Sequence, residues 1–401
     1  MRRTELLQEV RKMRFEEAYA GWRRGHLTQE EAGELLGMSG RNFRRYIERY
    51  REEGEAGLLD KRLTQASNRC APVDEVLALC DLYAERYSGW NVKHFYSFYH
   101  REHQGGRSYT WVKNKLQERG LVKKAKGRGK HRRRRERKPL EGMMLHQDGS
   151  THEWVPGREW DLIITLDDAT SRHYSMFFVE EEGTASSFRG MRDVIEAHGL
   201  PCSLYTDRGS HYWNTPKAGG PVDRKNLTQF GRAMKHLGIE MIPAYSPEAR
   251  GRCERMFATH QERLPKELAA AGITTMEAAN RYLVEHYLPA FNAEFAVPAA
   301  AKGSAFVAWF GGDLDNILCE KHERVVSKDN TVSFRGMKLQ IPADKYRCHY
   351  VKTRVRVHCY PNGNMAVFHG PRKLAEYDAN GALMDDSQAG TGQQKRTTLV
   401  L

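Results

Sequence analysis

Nowhere in its 401 residues does the sequence carry a run of about eighteen apolar residues, the length a helix needs to cross a bilayer. Its opening stretch, MRRTELLQEVRKMRFEEAYAGW, is charged where an export signal needs an apolar core, so a cytoplasmic protein with no membrane partner is expected. There is no CxxC pair either. The seven cysteines, Cys70, Cys80, Cys202, Cys253, Cys319, Cys348 and Cys359, are scattered and odd in number, which argues for reduced thiols rather than a disulfide framework. Cys70, Cys80, His100 and His103 could be drawn as a zinc site, but the cysteines stand too far apart for the usual short ligand loops. Acidic residues are outnumbered, 51 against 64 Lys and Arg, for a formal charge of +13.

The excess charge is local. Between Lys123 and Lys138 (KKAKGRGKHRRRRERK) stand eleven Lys or Arg and one Glu, a charge of +10 in sixteen residues. Such a block cannot fold alone, and its natural partner is a polyanion such as a nucleic-acid backbone. Arg132, Arg133, Arg134 and Arg135 are its densest part and candidate phosphate contacts.

The chain is long enough for two to four domains. In LTQEEAGELLGMSGRNFRRYIERYREEG, Thr28 and Glu31 spell a capping box, with Leu35 and Leu36 expected on the buried face of a short helix. Ser39 caps a second helix that turns Phe43, Tyr46 and Ile47 inward and Arg41, Asn42, Arg44 and Arg45 outward. Two short helices joined at a glycine, the second bearing Arg and Asn, suit a helix-turn-helix that reads a major groove. A further helical unit, about Pro72 to Val122, has an aromatic middle (GWNVKHFYSFYH) expected in its core. It closes with a Ser108-capped helix presenting Lys113, Asn114 and Lys115, a second candidate reader of double-stranded DNA.

From residue 139 the pattern becomes short apolar strands: MMLHQDGS, WDLIITLDD and RHYSMFFVE, then a helix, CSLYTD, a helix, IEMIPA, and a long helix from about Arg250 that Pro265 is expected to end or kink. Three strands followed by alternating helix and strand predict a mixed sheet covered on both faces. Beyond Pro298, alternating segments separated by Asn-Gly turns predict a small antiparallel β-barrel. The expected division is 1–65 helix-turn-helix, 66–122 second helical domain, 123–138 basic linker, 139–298 α/β catalytic core, 299–385 C-terminal β-barrel and 386–401 disordered tail.

Three carboxylates stand at special places. Asp148 lies near the end of the first strand, Asp207 just after the fourth, and Glu254 in the long helix. Acids at the ends of adjacent strands lie side by side in the crevice where α/β sheets bind ligands. Such a cluster needs hard divalent cations, because like charges a few ångström apart cannot all stay ionised. Asp167 and Asp168, in LDDATSR, are expected to form a turn, with Asp168 capping the hairpin; His146, His152 and His211 flank the ligand positions, where phosphate contact, proton transfer and an ordinary hydrogen-bonded role all remain open.

The three motifs, D-G-S-x-H-x-W at Asp148, T-D-R-G-S at Asp207 and S-P-E-A-R-G-R-C-E-R-M-F at Glu254, resemble the DDE signature of the retroviral-integrase-like superfamily. Their details look most like bacterial insertion-sequence transposases of the ISNCY type, and the resemblance covers nearly the whole chain. It implies a ribonuclease-H-like core in which Asp148, Asp207 and Glu254 bind two Mg²⁺ ions, Mn²⁺ being an alternative, to cut DNA and transfer strands. It further implies a homo-oligomer, at least a dimer on paired element ends, in a bacterial cell. The 46 residues between Asp207 and Glu254 exceed what is usual for that core, which leaves Glu248 as a competitor; the extra segment YWNTPKAGGPVDRK suits a loop or ribbon over the active site. The rival reading is a DNA-binding regulator with an inactive nuclease-like core.

Overall fold

The computed structural model describes residues 3–59, 71–124, 136–217, 220–245 and 247–384. Arg132, Arg133, Arg134 and Arg135, Cys70, the expected tail and the side chain of Glu248 lie outside the described part. The chain divides into two compact units, Met1–Ala125 and Lys126–Leu401.

The first unit is helical. α1 (Arg3–Arg23) packs with α2 (Gln29–Leu35) and α3 (Gly40–Glu53) around Phe15, Ala18, Ala32, Phe43 and Ile47. The expected caps are present: Thr28 and Glu31 bond reciprocally, and Ser39 Oγ accepts from the Asn42 amide at 3.4 Å. Leu35, however, is 65% exposed. The buried side of α2 is Ala32 and Gly33, because the turn into α3 comes so close that a Cβ on Gly33 would meet the Met38 carbonyl oxygen at 2.8 Å. With backbone filling that side, Leu35 is left facing solvent and Leu36 is half-buried.

α4 (Val73–Arg86), α5 (Val92–His103) and α6 (Tyr109–Glu118) form the second helical group. Asn91 caps α5 and Ser108 caps α6, and the aromatic stretch is core as expected, with Trp90, Phe95, Phe98 and Tyr99 buried. Tyr87 Oη hydrogen-bonds His103 Nε2 at 2.8 Å, which gives that histidine a structural partner.

The second unit holds the mixed sheet. β1 (Leu145–Val155), β2 (Arg158–Asp167) and β3 (His173–Val179) form an antiparallel meander. β4 (Ser203–Thr206) and β5 (Glu240–Pro243) follow in parallel, giving the order β3-β2-β1-β4-β5. α7 (Thr184–His198) and α8 (Gln229–His236) bury Phe188, Met191, Val194 and Phe230 on one face. α9 (Pro247–Ala270), α10 (Met276–Tyr282) and α11 (Leu288–Phe295), the last two joined by a π-helical turn at Leu283–Tyr287, bury Phe257, Leu264, Leu283 and Phe291 on the other. Alternation along β2 and β3 feeds both layers, so the sheet is covered on both faces. α9 runs through Pro265 to Ala270 instead of ending there. Pro265 deprives the Gln261 carbonyl of its helical amide, but Leu264 and Leu268, fully buried on either side of it, hold the helix against the sheet.

The expected C-terminal barrel is not closed. β6 (Glu320–Val325) and β9 to β12 (Arg354–Cys359, Met365–His369, Arg372–Tyr377, Leu383–Met384) form an open sheet in the order β12-β11-β10-β9-β6, and β7 (Thr331–Phe334) pairs with β8 (Met337–Gln340) as a separate hairpin. Closure would require β12 to reach β6. β12 has two residues, and β6 carries Glu320, Lys321, Glu323 and Arg324, the kind of charged edge that resists further pairing.

Candidate active site

The pairing of β1 with β4 sets the centre of the site. Leu145 lies opposite Leu204 and His146 opposite Tyr205; continuing this parallel register by two residues brings Asp148 beside Asp207, with strands about 4.8 Å apart. Asp148 is 7% exposed and its Oδ1 accepts from the Gly149 amide at 3.2 Å. Asp207 Oδ1 accepts from the Gly209 amide at 2.8 Å.

Tyr212 is fully buried, with its hydroxyl donating to Oε1 of Gln147, the residue before Asp148, at 3.2 Å. Burial, and then the negative charges of Glu182, Asp148 and Asp207, push the Tyr212 hydroxyl well above the ordinary tyrosine range. The phenol is therefore neutral. Glu182, between β3 and α7, was not singled out from the sequence, where it is the last of a Glu-Glu-Glu-Gly run that reads as a solvated turn. Its amide donates to Asp161 Oδ2 at 2.6 Å, and its carboxylate lies over Gly149. A Cβ on Gly149 would stand 2.3 Å from Glu182 Oε2. His211 Nε2 is buried and stands 3.4 Å from Glu182 Oε1, without hydrogen-bond geometry.

α9 crosses β1, and Gln261 Nε2 donates to Ser150 Oγ at 3.0 Å, two residues along the strand from Asp148. Glu254 lies seven residues before Gln261, two turns away on the same helical face. It is exposed and makes no hydrogen bond or ion pair among the described residues. Among those residues no three His, Cys, Asp or Glu side chains stand close enough to enclose one ion. By chemistry the carboxylate oxygens of Asp148, Asp207 and Glu254 are the donors a hard divalent cation takes.

The other candidates fall outside this centre. His146 is buried, with Nε2 2.8 Å from Asp168 Oδ1, and His152 packs edge-on against Trp154. Asp167 forms the expected turn, accepting from the Thr170 amide and hydroxyl at 2.8 and 2.9 Å. Asp168 does not cap that hairpin: besides His146 it accepts from the Lys138 amide at 2.8 Å, pinning the entry of the chain into the core. The extra segment after Asp207 is a ribbon closed by an Asn214–Asp223 bridge. Trp213 anchors it by donating to Thr206 Oγ1 at 2.9 Å, and Arg208, next to Asp207, donates to the Gly220 carbonyl at 2.9 Å.

In the helical unit, Arg41, Asn42, Arg44 and Arg45 are exposed on α3. On α6, Asn114 is exposed, Lys113 leans on the Tyr109 ring and Lys115 pairs with Glu118.

The winged helix-turn-helix family matches residues 17–75, which include α2 and α3. Putative transposase y4bF of Sinorhizobium fredii is 29% identical over 352 residues, 86% of this chain and 75% of the relative. The transposase for insertion sequence IS1202 of Streptococcus pneumoniae is 30% identical over 212 residues, 53% of this chain and 45% of that protein, so the chain spans less than half of the second relative. Among solved structures, the intasome of simian T-cell lymphotropic virus in complex with a PP2A regulatory subunit is similar at 14% identity and a TM-score of 0.33, over 70% of this chain and 88% of that one. The HTLV-2 integrase catalytic core domain in complex with magnesium is similar at 15% identity and a TM-score of 0.28, over 37% and 88% of the two chains. The chain is thus similar to transposases along most of its length, matches the winged helix-turn-helix family near its front and has a mixed sheet in the order β3-β2-β1-β4-β5.

Proposed function

We propose that this chain is a DDE transposase of the retroviral-integrase-like superfamily, which binds the terminal repeats of a mobile DNA element, cuts the DNA there and transfers the cut strands into target DNA. The observation that carries the reading is the register of β1 and β4, which sets Asp148 beside Asp207 at the middle of the sheet. Asp148, Asp207 and Glu254 would hold two Mg²⁺ ions, with Mn²⁺ as a substitute. When bound, the ions supply activation of the attacking oxygen, water for cutting or a 3′-hydroxyl for joining, and stabilisation of the leaving oxygen.

The chain's own residues do the rest. Gln261 fixes α9 against β1 near the aspartates, and Glu254 lies about two helical turns before it on the same face. Tyr212, buried against β1, donates a neutral hydrogen bond to Gln147, the residue before Asp148. α3 enters a major groove through Arg41, Asn42, Arg44 and Arg45, α6 contributes Lys113, Asn114 and Lys115, and Arg132 to Arg135 neutralise phosphates. At least two protomers bridge the two ends of the element on the bacterial nucleoid.

The test is cleavage of DNA carrying the element's ends, with and without Mg²⁺, by the wild type and by Asp148→Asn. Wild-type cutting that needs the metal, lost in the variant while end binding persists, supports the reading. End binding without cutting by the wild type at any Mg²⁺ or Mn²⁺ concentration would leave a DNA-binding regulator. Neutralising Arg132 to Arg135 is expected to weaken binding to all sequences alike and to make its salt dependence shallower, whereas changing Arg44 or Arg45 alters discrimination between ends.

A further inference from the structure

Cations gather where α8 meets the C-terminal sheet, and no acid neutralises them. Gln229 of α8 ties the two elements together: its Oε1 accepts from the Lys321 amide and its Nε2 donates to the Lys321 carbonyl, both at 2.9 Å. Arg232, one turn along, donates through Nη2 to the carbonyls of Ile317 and Cys319 at 3.3 and 2.5 Å, which leaves its Nη1 without a partner among the described residues. The register of β6 on β9 sets Lys321 opposite His358, and Arg356 lies two residues before His358 on the same face. Val355, Val357 and Cys359 alternate to the other face, where they join the core of that sheet. Arg232, Lys321 and Arg356 all act electrostatically on the His358 ring, and both arginines act on the Lys321 ammonium, so the four side chains share one locality.

Two groups in this cluster lack the partner that burial demands. The Lys321 ammonium is half-buried and makes no hydrogen bond or ion pair among the described residues; burial first, and then Arg232, pull it below the ordinary lysine range. His358 is 4% exposed and stacks on Phe368 at 4.1 Å, and its Nδ1 is buried with no hydrogen-bond partner. The acids and the thiol close by do not answer the charge. Glu320, on the core face, is engaged by Arg335, and Glu323, across from Arg356, is exposed and makes no ion pair with it. Burial pushes the Cys319 thiol up to about 11, so it stays neutral. Buried polar groups ordinarily find partners and desolvated charges ordinarily find counter-ions, whereas here the fold holds like charges together at a cost.

We propose that Arg232, Lys321, Arg356 and the Nδ1–H of His358 form a site for a phosphate-class oxyanion, which on binding clamps α8 to the C-terminal sheet. A neutral imidazole donates one hydrogen bond through Nδ1, the ammonium brings a compact charge, and the guanidiniums offer planar donors that match an oxyanion's edge. The oxyanion is either a phosphodiester of a nucleic-acid backbone or a free phosphate. The site does not depend on the metal-binding reading of Asp148, Asp207 and Glu254.

The experiment follows thermal unfolding of the full chain as inorganic phosphate replaces chloride at constant ionic strength, for the wild type, Lys321→Met, Arg356→Gln and, as a charge-matched control on β8, Lys338→Gln. Phosphate is expected to raise the melting temperature of the wild type and of the control. Lys321→Met, which removes an unpartnered cation, should melt no lower than the wild type in chloride yet lose that rise, its affinity for phosphate falling about tenfold or more. Arg356→Gln should lose part of it. A second arm measures binding of a random-sequence DNA duplex over a range of salt. A salt slope shallower by about one in Lys321→Met and Arg356→Gln, with the control unchanged, identifies a backbone phosphodiester as the oxyanion. An unchanged slope with the phosphate effect present identifies free phosphate. The proposal is overturned if Lys321→Met responds to phosphate and to DNA as the wild type does, if it melts lower in chloride, which would mark a structural lysine, or if Lys338→Gln loses as much, which would mark a diffuse charge effect. Lys321→Gln repeats the comparison where methionine disturbs the packing.

Discussion

Two acidic pairs in one sheet have opposite surroundings. Asp167 and Asp168, at the end of β2, are fully buried, and donors converge on them: the amides of Gly142 and Thr170 and the Thr170 hydroxyl on Asp167, the His146 ring and the Lys138 amide on Asp168. Asp148, on the neighbouring strand, and Asp207, after β4, each accept the amide of a nearby glycine, Gly149 and Gly209. The first pair joins three pieces of chain and serves the fold. The second stands where the register of β1 and β4 brings two strand-end acids side by side. Acidity alone does not tell the two apart; their places in the sheet do.

The largest expected effect tests the second pair. Asp148→Asn and Asp207→Asn should each lower DNA cleavage by about 10³-fold or more, roughly 4 kcal/mol of barrier. Thermal unfolding should shift little, since removing a charge there relieves repulsion. Glu254→Gln is expected to match them in cleavage, and Glu248→Gln to retain activity; the reverse outcome for these two glutamates would move the third ligand to Glu248. Next in size is the first pair. Asp168→Ala leaves the Lys138 amide and the His146 ring without their acceptor inside the core, at a cost of about 3 kcal/mol. For a unit of this size that is a fall in melting temperature of roughly 6 to 12 °C. Cleavage per folded molecule should be unaffected. If Asp168→Ala melts like the wild type, or if Asp148→Asn melts far below it, the assignment of one pair to fold and the other to chemistry is wrong.

How much of this could be read from residues alone follows the range of the interactions. Thr28, Ser39 and Ser108 act within one helical turn, and their caps were legible. The order of strands and helices in the core was legible because each is short, apolar and bounded by turn residues. Asp148 and Asp207 could be marked as strand-end acids, but their adjacency depends on β4 pairing parallel to β1 across 59 residues of chain. Leu35 was placed inward because its spacing is helical; the close approach of the Met38 carbonyl to Gly33 decided otherwise. Pro265 carries a local signal to stop that the packing of Leu264 and Leu268 outweighs. The open C-terminal sheet was not legible because closure depends on how two distant edges meet.

The smallest effect concerns acid, and it begins at the turn that Asp167 closes. Ser171, in that turn, offers its carbonyl to His173 Nδ1–H at 3.1 Å. His173 Nε2 is then unprotonated and accepts from His260 Nε2–H at 3.1 Å, and His260 Nδ1 accepts from the Tyr287 hydroxyl at 2.9 Å. Every proton in this chain is assigned with both rings neutral, and it ties β3 to α9 and to the π-helical turn. Burial accordingly lowers His173 to about 4 and holds His260 well below the ordinary histidine range; buried His358 falls to about 3. These groups take protons in the unfolded chain near pH 6.5 and resist them in the folded one. Stability is therefore full above pH 6.5 and is lost as the pH falls toward 4. Each such histidine should contribute a loss of about 2 kcal/mol between pH 7 and pH 5. Asp167, whose carboxyl burial pushes up, works in the opposite direction, since it gains a proton more readily folded than unfolded. Urea unfolding of the full chain at pH 7 and pH 5 measures the sum, and the same pair of measurements on His173→Asn isolates one part. The variant is expected to be less stable at both pH values but to lose less between them, with His358 leaving a residual slope. Equal losses on acidification in the wild type and the variant would show that the His173 chain accepts a proton without cost, and that the turn closed by Asp167 is looser than its hydrogen bonds imply.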